Sequence, residues 1–168
     1  FMPRTEAGFV PDVDPRSVFM GDGPFTEGSA WHWAFYFFHD PSVMVAAIGE
    51  EGVLTMLDTF FERSPLGRTA PISHAIPNSY YWHGNEPTIH AAYVYHAVGE
   101  PNRGNRWVRQ IQERLYDDTP AGLPGNDDGG TMSAWYLFAA VGLYPVAGSD
   151  LYYLSAPLFE RVEVDLPG

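Results

Sequence analysis

Three loops of the 168-residue chain place carboxylates beside aromatic or amide side chains. The first contains Glu27, which is followed closely by Trp31 and Trp33. A carboxyl group flanked by aromatic rings is partly desolvated, which favours its protonated form and suits a general acid. A simpler interpretation places Glu27 in the first turn of a helix, where the helix dipole favours a negative charge. The loop alone leaves both interpretations open.

The second loop combines an amide, a carboxylate and a run of aromatic side chains. Asn85 and Glu86 follow Tyr80, Tyr81 and Trp82 and precede a proline that suits the first turn of a helix. Hard cations prefer carboxylate and amide oxygens, and sugars pack on aromatic faces. An ordinary helix cap around Asn85 would explain the same residues. The pattern therefore indicates either a cation or sugar site or a cap.

The third loop carries two adjacent carboxylates, Asp127 and Asp128, between Gly125 and Gly130. Adjacent carboxylates repel each other unless a cation or a shared proton relieves the repulsion. The flanking glycines allow the backbone to approach a ligand closely. The spacing lacks the alternating acidic pattern and terminal glutamate of an EF-hand. A solvated acidic helix start is the alternative, but the apolar sequence that follows favours a functional loop.

These loops connect segments with helical hydrophobic spacing. We predict an extended, loop-like start over residues 1–28 and loops over 64–84 and 117–130. The predicted helices cover residues 31–39, 42–48, 50–63, 87–98, 107–115 and 131–143. The last helix is almost wholly apolar and is expected to be buried. Short strands are predicted at 151–154 and 161–166, which gives an all-α fold with a short β segment at its C-terminal end.

The composition excludes several classes of protein. The chain has 9 Lys+Arg, all of them arginine, against 21 Asp+Glu, for a formal net charge of −12. A nucleic-acid partner is therefore not expected, because phosphate binding needs clusters of basic residues. The absence of cysteine removes thiolate catalysis and sulfur-ligated metal sites. No apolar run approaches the ~20 residues of a membrane span, so no membrane partner is expected.

Five short motifs, in order, resemble glycoside hydrolase family 92, whose members are calcium-dependent, inverting exo-α-mannosidases. They are Phe25-Thr-Glu-Gly-Ser-Ala-Trp31, Gly84-Asn-Glu-Pro87, Gly125-Asn-Asp-Asp-Gly129, Met132-Ser-Ala-Trp-Tyr136 and Gly142-Leu-Tyr-Pro145. The resemblance implies that residues 1–168 form the later part of an (α/α)6 catalytic barrel, or toroid. The family's N-terminal β-sandwich and earlier barrel helices would then lie outside this sequence.

The resemblance also implies roles for individual residues. Glu27 matches the general acid that protonates the glycosidic oxygen. Asp128 matches the general base, with Asp127 as a second candidate. Asn85, Glu86 and Asp128 are the expected calcium ligands.

Side chains around the second loop are the expected contacts to a mannose-containing glycan, together with one tryptophan from the first loop. They are Trp31, Tyr81, Trp82 and His83. Members that cleave α-1,2 linkages tend to carry a His-Glu pair where this chain has Tyr81 and Trp82. The resemblance therefore implies an α-mannoside without specifying the linkage.

The family is mostly exported, which implies a periplasmic or extracellular location. The N-terminal domain of the parent chain is expected to complete the sugar pocket. Two alternatives remain: a calcium-dependent carbohydrate-binding module without catalysis, and another inverting (α/α)-barrel glycosidase. A lyase acting on acidic polymers is disfavoured, because a cleft for such a substrate would be basic.

Overall fold

Helices form most of the regular structure of the chain. The computed structural model describes residues 2–64, 66 and 79–165. The elements in chain order are β1 (Arg4–Thr5), β2 (Gly8–Phe9), α1 (Ala30–Trp33), α2 (Ser42–Glu62), α3 (Glu86–Ile89), α4 (Ala91–Ala97), α5 (Pro101–Leu115), α6 (Thr131–Val141), β3 (Leu143–Pro145) and β4 (Tyr152–Leu154). The helix-rich fold with a short β segment near its C-terminal end is as predicted, whereas β1 and β2 lie in a segment that was predicted to be loop. Most of the predicted loop over 64–84 lies outside the described residues.

Helix α2 is interrupted at Gly49, where φ is +73° and ψ is 163°. Such a backbone conformation is strained for any residue with a Cβ atom, so glycine is the natural residue at this break. The two helices predicted on either side of residue 49 are therefore present as the two halves of α2. The second half buries an apolar face through Val53, Leu57, Phe60 and Phe61.

The helix predicted over residues 31–39 is much shorter than expected. Helix α1 begins after Ser29, whose hydroxyl accepts a hydrogen bond from the His32 amide while the Ser29 amide donates to His32 Nδ1. This reciprocal cap begins the helix, but the helical segment ends at Trp33. Phe35 and Phe38 then enter the core from turns rather than from a helix.

The helix predicted over residues 87–98 is divided at His90 into α3 and α4. His90 Nε2 lies 2.6 Å from the Phe35 carbonyl oxygen, so the ring ties this junction to the segment after α1. Helix α4 then packs closely on α5. A Cβ atom at Gly104 of α5 would lie only 2.5 Å from the Ala92 carbonyl oxygen, which shows how near the two backbones are.

Helix α6 ends at Val141 because Gly142 takes a left-handed conformation, with φ of +86°. Strand β3 follows and pairs antiparallel with β4, with Leu143 opposite Leu154. The predicted strand over 151–154 is thus present, whereas the segment 161–165 is not a strand and residue 166 lies outside the described range.

The prediction that the last helix, α6, is buried is wrong for one face. Trp135 and Ala139 are buried, but the side chain of Leu137 is 62% exposed and that of Phe138 is 37% exposed. These two side chains point away from the core described here, although the helix is apolar on nearly every side. Across the described ranges, every helix is too short or too polar to cross a lipid bilayer.

Aromatic rings dominate the core between the second half of α2, α4, α5, α6 and the turns after α1. The rings of Tyr93 and Tyr144 stack at 3.8 Å, which joins α4 to the C-terminal β-hairpin. Phe61 stacks on Trp107 at 5.0 Å and joins α2 to α5. Tyr81 of the second loop belongs to this core.

Candidate active site

The three loops singled out by the sequence meet in the structure. The Asn85 side-chain amide donates a hydrogen bond to the backbone carbonyl oxygen of Glu27, which connects the first and second loops across 58 residues. The second and third loops touch through Gly84 and Gly125. Loops that are far apart in sequence are therefore joined by direct contacts.

The contact between Gly84 and Gly125 leaves no room for a side chain at either position. A Cβ atom at Gly125 would lie 2.7 Å from the Gly84 Cα, and one at Gly84 would lie 2.9 Å from the Pro124 carbonyl oxygen. Real Cβ atoms essentially never approach backbone atoms so closely. The two glycines therefore set the spacing between the second and third loops.

Glu27 has an exposed side chain and a left-handed backbone, with φ of +43°. Its neighbours fix this conformation. Gly28 exchanges two backbone hydrogen bonds of 2.9 Å with Phe19, and Trp33 Nε1 donates to the Thr26 carbonyl oxygen at 2.9 Å. A residue with a Cβ atom in this region carries about 1–3 kcal/mol of strain, and such residues cluster at functional sites.

The adjacent carboxylates Asp127 and Asp128 are placed differently. Asp127 Oδ1 accepts hydrogen bonds from the Ser133 amide and hydroxyl, each at 2.9 Å, and its carbonyl oxygen accepts from the Thr131 amide at 2.7 Å. Asp127 thus closes the first turn of α6. Asp128 is exposed, with φ of +48°, and its carbonyl oxygen accepts from the Thr131 hydroxyl at 2.9 Å. The structure separates a carboxylate used to build the loop from one presented to solvent.

A buried hydrogen-bond chain lies behind the second loop. Tyr81 Oη bonds to His83 Nδ1, His83 Nε2 lies 2.6 Å from Tyr116 Oη, and Tyr116 Oη donates to the Met132 carbonyl oxygen at 3.3 Å. Burial lowers the pKa of His83 to about 3, so the imidazole stays neutral at physiological pH. Burial raises the pKa of Tyr81 well above its usual value.

Tyr81 and His83 were both predicted to contact the glycan, but the two residues are only 4% and 3% exposed. The Tyr81 ring packs on Phe61 with centroids 4.8 Å apart, and the His83 ring meets Trp135 at 4.4 Å. The structure thus places both side chains in the core behind the loop surface. Their predicted contact with sugar stays a prediction.

Trp31 and Trp82 are partly exposed and remain able to offer a ring face to a sugar. Trp31 packs against Tyr80 with centroids 4.9 Å apart, and Trp82 packs against His32 at 5.9 Å. Both rings border the loops that carry Glu27 and Asn85. Their role in sugar binding stays a prediction.

The chemistry of the second loop suits a hard cation. The Asn85 amide nitrogen faces the Glu27 carbonyl, so the amide oxygen Oδ1 is the atom left for a metal, and Glu86 is exposed beside it. Within the described part of the chain, no three His, Asp or Glu side chains lie close enough together to hold a metal. Asn85, Glu86 and Asp128 would therefore supply only part of the 6–8 oxygen ligands typical of calcium.

Two residues that support the site, Tyr116 and Ser133, were not predicted from the sequence. Tyr116 reaches His83 across 33 residues, and Ser133 reaches back to Asp127 across six. The longer contact leaves no local pattern. The shorter one has a local signal, because aspartate side chains commonly accept hydrogen bonds from backbone amides at helix starts.

Solved structures similar to this chain include two of a family GH92 α-mannosidase from Bacteroides thetaiotaomicron. The structure in complex with mannoimidazole is 35% identical, with a TM-score of 0.77, and the match covers 91% of this chain and 21% of that chain. The other is 34% identical, with a TM-score of 0.76, and the match covers 91% of this chain and 19% of that chain.

A curated relative, an uncharacterized secreted glycosidase from Arthroderma benhamiae, is 28% identical over 141 residues. That match covers 84% of this chain and 16% of the relative. The chain therefore spans about a fifth or less of the length of the proteins it resembles.

The model of the glycosyl hydrolase family 92 catalytic domain matches residues 1–168. The match covers the whole chain, including the five motifs and the three loops that meet at Asn85 and Gly84. The chain belongs to glycosyl hydrolase family 92.

Proposed function

We propose that this chain is part of an exo-acting α-mannosidase that hydrolyses terminal α-linked mannose from glycans with inversion. Family membership and the likeness to an α-mannosidase support the reaction class. The observation that carries the proposal is the direct joining of the loops bearing Glu27, Asn85 and Asp128. Two carboxylates at one site, with aromatic rings nearby, meet the needs of glycoside hydrolysis.

In this proposal Glu27 donates its proton to the glycosidic oxygen as the bond to the anomeric carbon breaks. Asp128 accepts a proton from a water molecule whose oxygen forms the new bond on the opposite face of the sugar. An inverting enzyme needs about 6.5–9.5 Å between the two carboxyl groups to admit that water. Asp127, the second candidate for the base, holds the loop through Ser133, which favours Asp128.

Calcium is the proposed cofactor, with Asn85, Glu86 and Asp128 supplying oxygen ligands. When bound, the cation would polarise sugar hydroxyl groups and favour a ring conformation nearer to the transition state. Asn85 and Glu86 enter this arrangement because α3 begins at Glu86, directly after the extended Asn85. Removal of calcium by a chelator is expected to lower activity, and its replacement to restore it.

The described helices form, in this proposal, the later part of an (α/α)6 catalytic barrel whose remaining helices and N-terminal β-sandwich belong to the parent chain. The apolar face of α6 that carries Leu137 and Phe138 is consistent with further packing partners. An exported enzyme, periplasmic or extracellular, is proposed because the curated relative is described as secreted.

Glu27→Gln in the full-length protein tests the proposal. Hydrolysis of α-1,2-, α-1,3-, α-1,4- and α-1,6-linked mannobioses is followed, with the anomer of the released mannose read by proton NMR. We expect turnover to fall by about 10²–10⁴-fold in the variant and the first product of the wild type to be β-mannose. Retained turnover would refute the assignment of the acid.

The same experiment separates the alternatives. A carbohydrate-binding module would show no hydrolysis in the wild type and unchanged glycan affinity in Glu27→Gln. Another inverting glycosidase would cleave a panel of α-glucosides in preference to the mannobioses. Either result would overturn the proposed substrate or reaction.

A further inference from the structure

The buried chain Tyr81–His83–Tyr116 joins two parts of the candidate site that the reaction needs at a fixed separation. His83 directly precedes Gly84, which touches Gly125 of the third loop. Tyr116 reaches the carbonyl oxygen of Met132, in the first turn of α6. The hydrogen-bond chain therefore runs from the loop of Asn85 and Glu86 to α6, the helix that directly follows the Asp127–Asp128 loop.

A buried imidazole in an aromatic core needs partners for both ring nitrogens, because an unsatisfied buried polar group is costly. His83 has both, one from Tyr81 and one from Tyr116. An apolar side chain could fill the same volume without needing either partner. The imidazole, unlike an apolar side chain, fixes the direction and distance between the second loop and the start of α6.

The second turn of α6 also packs against His83 and Tyr116, through Trp135. The Trp135 ring meets the His83 ring at 4.4 Å and stacks parallel to Tyr116 at 5.9 Å. Trp135 Nε1 donates to the carbonyl oxygen of Ile89, at the end of α3, at 2.8 Å. Helix α6 is thus tied at its first two turns to the segment that carries Asn85 and Glu86.

We propose that His83, acting through Tyr116, is a positioning residue that holds Asp128 at its working distance from Asn85, Glu86 and Glu27. The proposal rests on the proposed function, because it assigns the two loops to one reaction. This role lies behind the site and does not depend on the predicted contact between His83 and sugar. A shift of about 1 Å between reacting groups can cost about a hundredfold in rate, so a small movement of α6 would be felt in turnover.

Tyr116→Phe removes the hydroxyl that links His83 to Met132 and keeps the ring that stacks on Trp135. Tyr95→Phe is the control, because it removes the hydroxyl of another tyrosine that packs in the core and donates to Asp58 Oδ1 at 2.7 Å, between α4 and α2. Tyr116→Phe loses the hydrogen bonds to His83 and Met132, and Tyr95→Phe loses the hydrogen bond to Asp58. Of the two variants, only Tyr116→Phe removes the hydrogen-bonded connection from His83 to Met132.

Hydrogen–deuterium exchange of the first turn of α6 is measured in the full-length protein, together with kcat and KM on the preferred mannobiose. We expect Tyr116→Phe to speed exchange at the Thr131 and Met132 amides by about tenfold, because the hydrogen bond that holds the Met132 carbonyl oxygen is lost. The kcat should fall by about a hundredfold with KM changed less than about threefold. Tyr95→Phe should change neither the exchange of this turn nor kcat.

Equal effects of the two variants, or unchanged exchange and kcat in Tyr116→Phe, would overturn the proposal. His83→Gln and His83→Leu provide a second test, since glutamine keeps a donor near the position of Nε2 and leucine does not. We expect the glutamine variant to retain more kcat; equal losses would count against positioning. Should the wild type hydrolyse no α-mannoside, the proposed function fails by itself, and the exchange comparison still decides whether His83 holds the loop.

Discussion

The side-chain amide of Asn85 holds the main chain of Glu27 through a hydrogen bond to its carbonyl oxygen. Asn85 is 5% exposed and lies at the start of α3, whereas Glu27 precedes α1 and is exposed. A candidate cation ligand therefore also fixes the backbone of the candidate acid. These two functions use different atoms of one amide, so they are separable by substitution.

Asn85→Asp should separate them. The variant keeps an oxygen for a cation but replaces the donor that faces the Glu27 carbonyl with an acceptor, which repels it. We expect calcium affinity, measured by calorimetry, to be retained or increased, while kcat falls by about 10–100-fold because Glu27 is displaced. A parallel loss of calcium affinity and kcat would show that the two functions are not distinct.

Asp127 and Asp128 should respond differently to the same substitution. Asp128→Asn removes the proposed base and should lower kcat by about 10²–10⁴-fold with little change in thermal stability. Asp127→Ala loses the hydrogen bonds from Ser133 and should lower the free energy of unfolding by about 0.5–2 kcal/mol, as for loss of a helix cap. Activity and chemical denaturation of both variants would test this, and loss of turnover without loss of stability in Asp127→Ala would reassign the base.

Gly125→Ala should force the second and third loops apart. The added methyl group would meet the Gly84 Cα at 2.7 Å, and a backbone atom cannot move aside as a flexible side chain can. We expect a loss of about 1–3 kcal/mol in the free energy of unfolding and a fall in kcat. Gly21→Ala is the control, because Gly21 is exposed and a Cβ atom there meets nothing within 4 Å. Equal stability of the two variants would contradict the steric argument.

The free energy of unfolding should fall as the pH is lowered below 6.5, because the buried histidines stay neutral in the folded protein while they become protonated in the unfolded chain. Burial lowers the pKa of His90 to about 4 and that of His83 to about 3. Below pH 6.5 the unfolded chain binds protons that the folded chain excludes, so each histidine should cost about 1.4 kcal/mol per pH unit down to its folded pKa. The contribution of the neutral histidines to the free energy of unfolding is therefore fully present above about pH 7 and is lost progressively towards pH 4.

Chemical denaturation between pH 7 and pH 4.5, on the wild type and on His90→Gln, measures this dependence. Glutamine can still donate to the Phe35 carbonyl but does not titrate in this range. The slope of stability against pH should decrease by about 1.4 kcal/mol per unit in the variant. An unchanged slope would show that His90 is not excluded from protonation in the folded state.

The helix boundaries that the sequence predicts well are those set by local residues. The break of α2 at Gly49 and the start of α6 after the Asp127–Gly130 turn follow from backbone freedom and capping groups nearby in the chain. The division of α3 from α4 at His90 was not predictable, because it accompanies a contact to Phe35 made across 55 residues. The exposed face of α6 was missed because composition alone does not show which sides of an apolar helix are covered.

The candidate site shows the same limit. The three loops could be found from the sequence, because each places carboxylates beside aromatic, amide or glycine residues at the start of a predicted helix. The different positions of Asp127 and Asp128 depend on Ser133, and the burial of His83 depends on Tyr116, which lies in another part of the chain. Side chains that support a site from behind are chosen by the folded structure, so their identity is visible only there.

Glu27 and Asp128 both have left-handed backbones, which cost stability at the two residues whose carboxylates are proposed to react. Glycine at either position would relieve backbone strain, so a search guided by melting temperature alone would favour the loss of both groups. Directed evolution of this enzyme family for heat resistance therefore needs a selection for turnover at every round. Stabilising substitutions are better sought outside the three loops, at positions with ordinary backbone conformations.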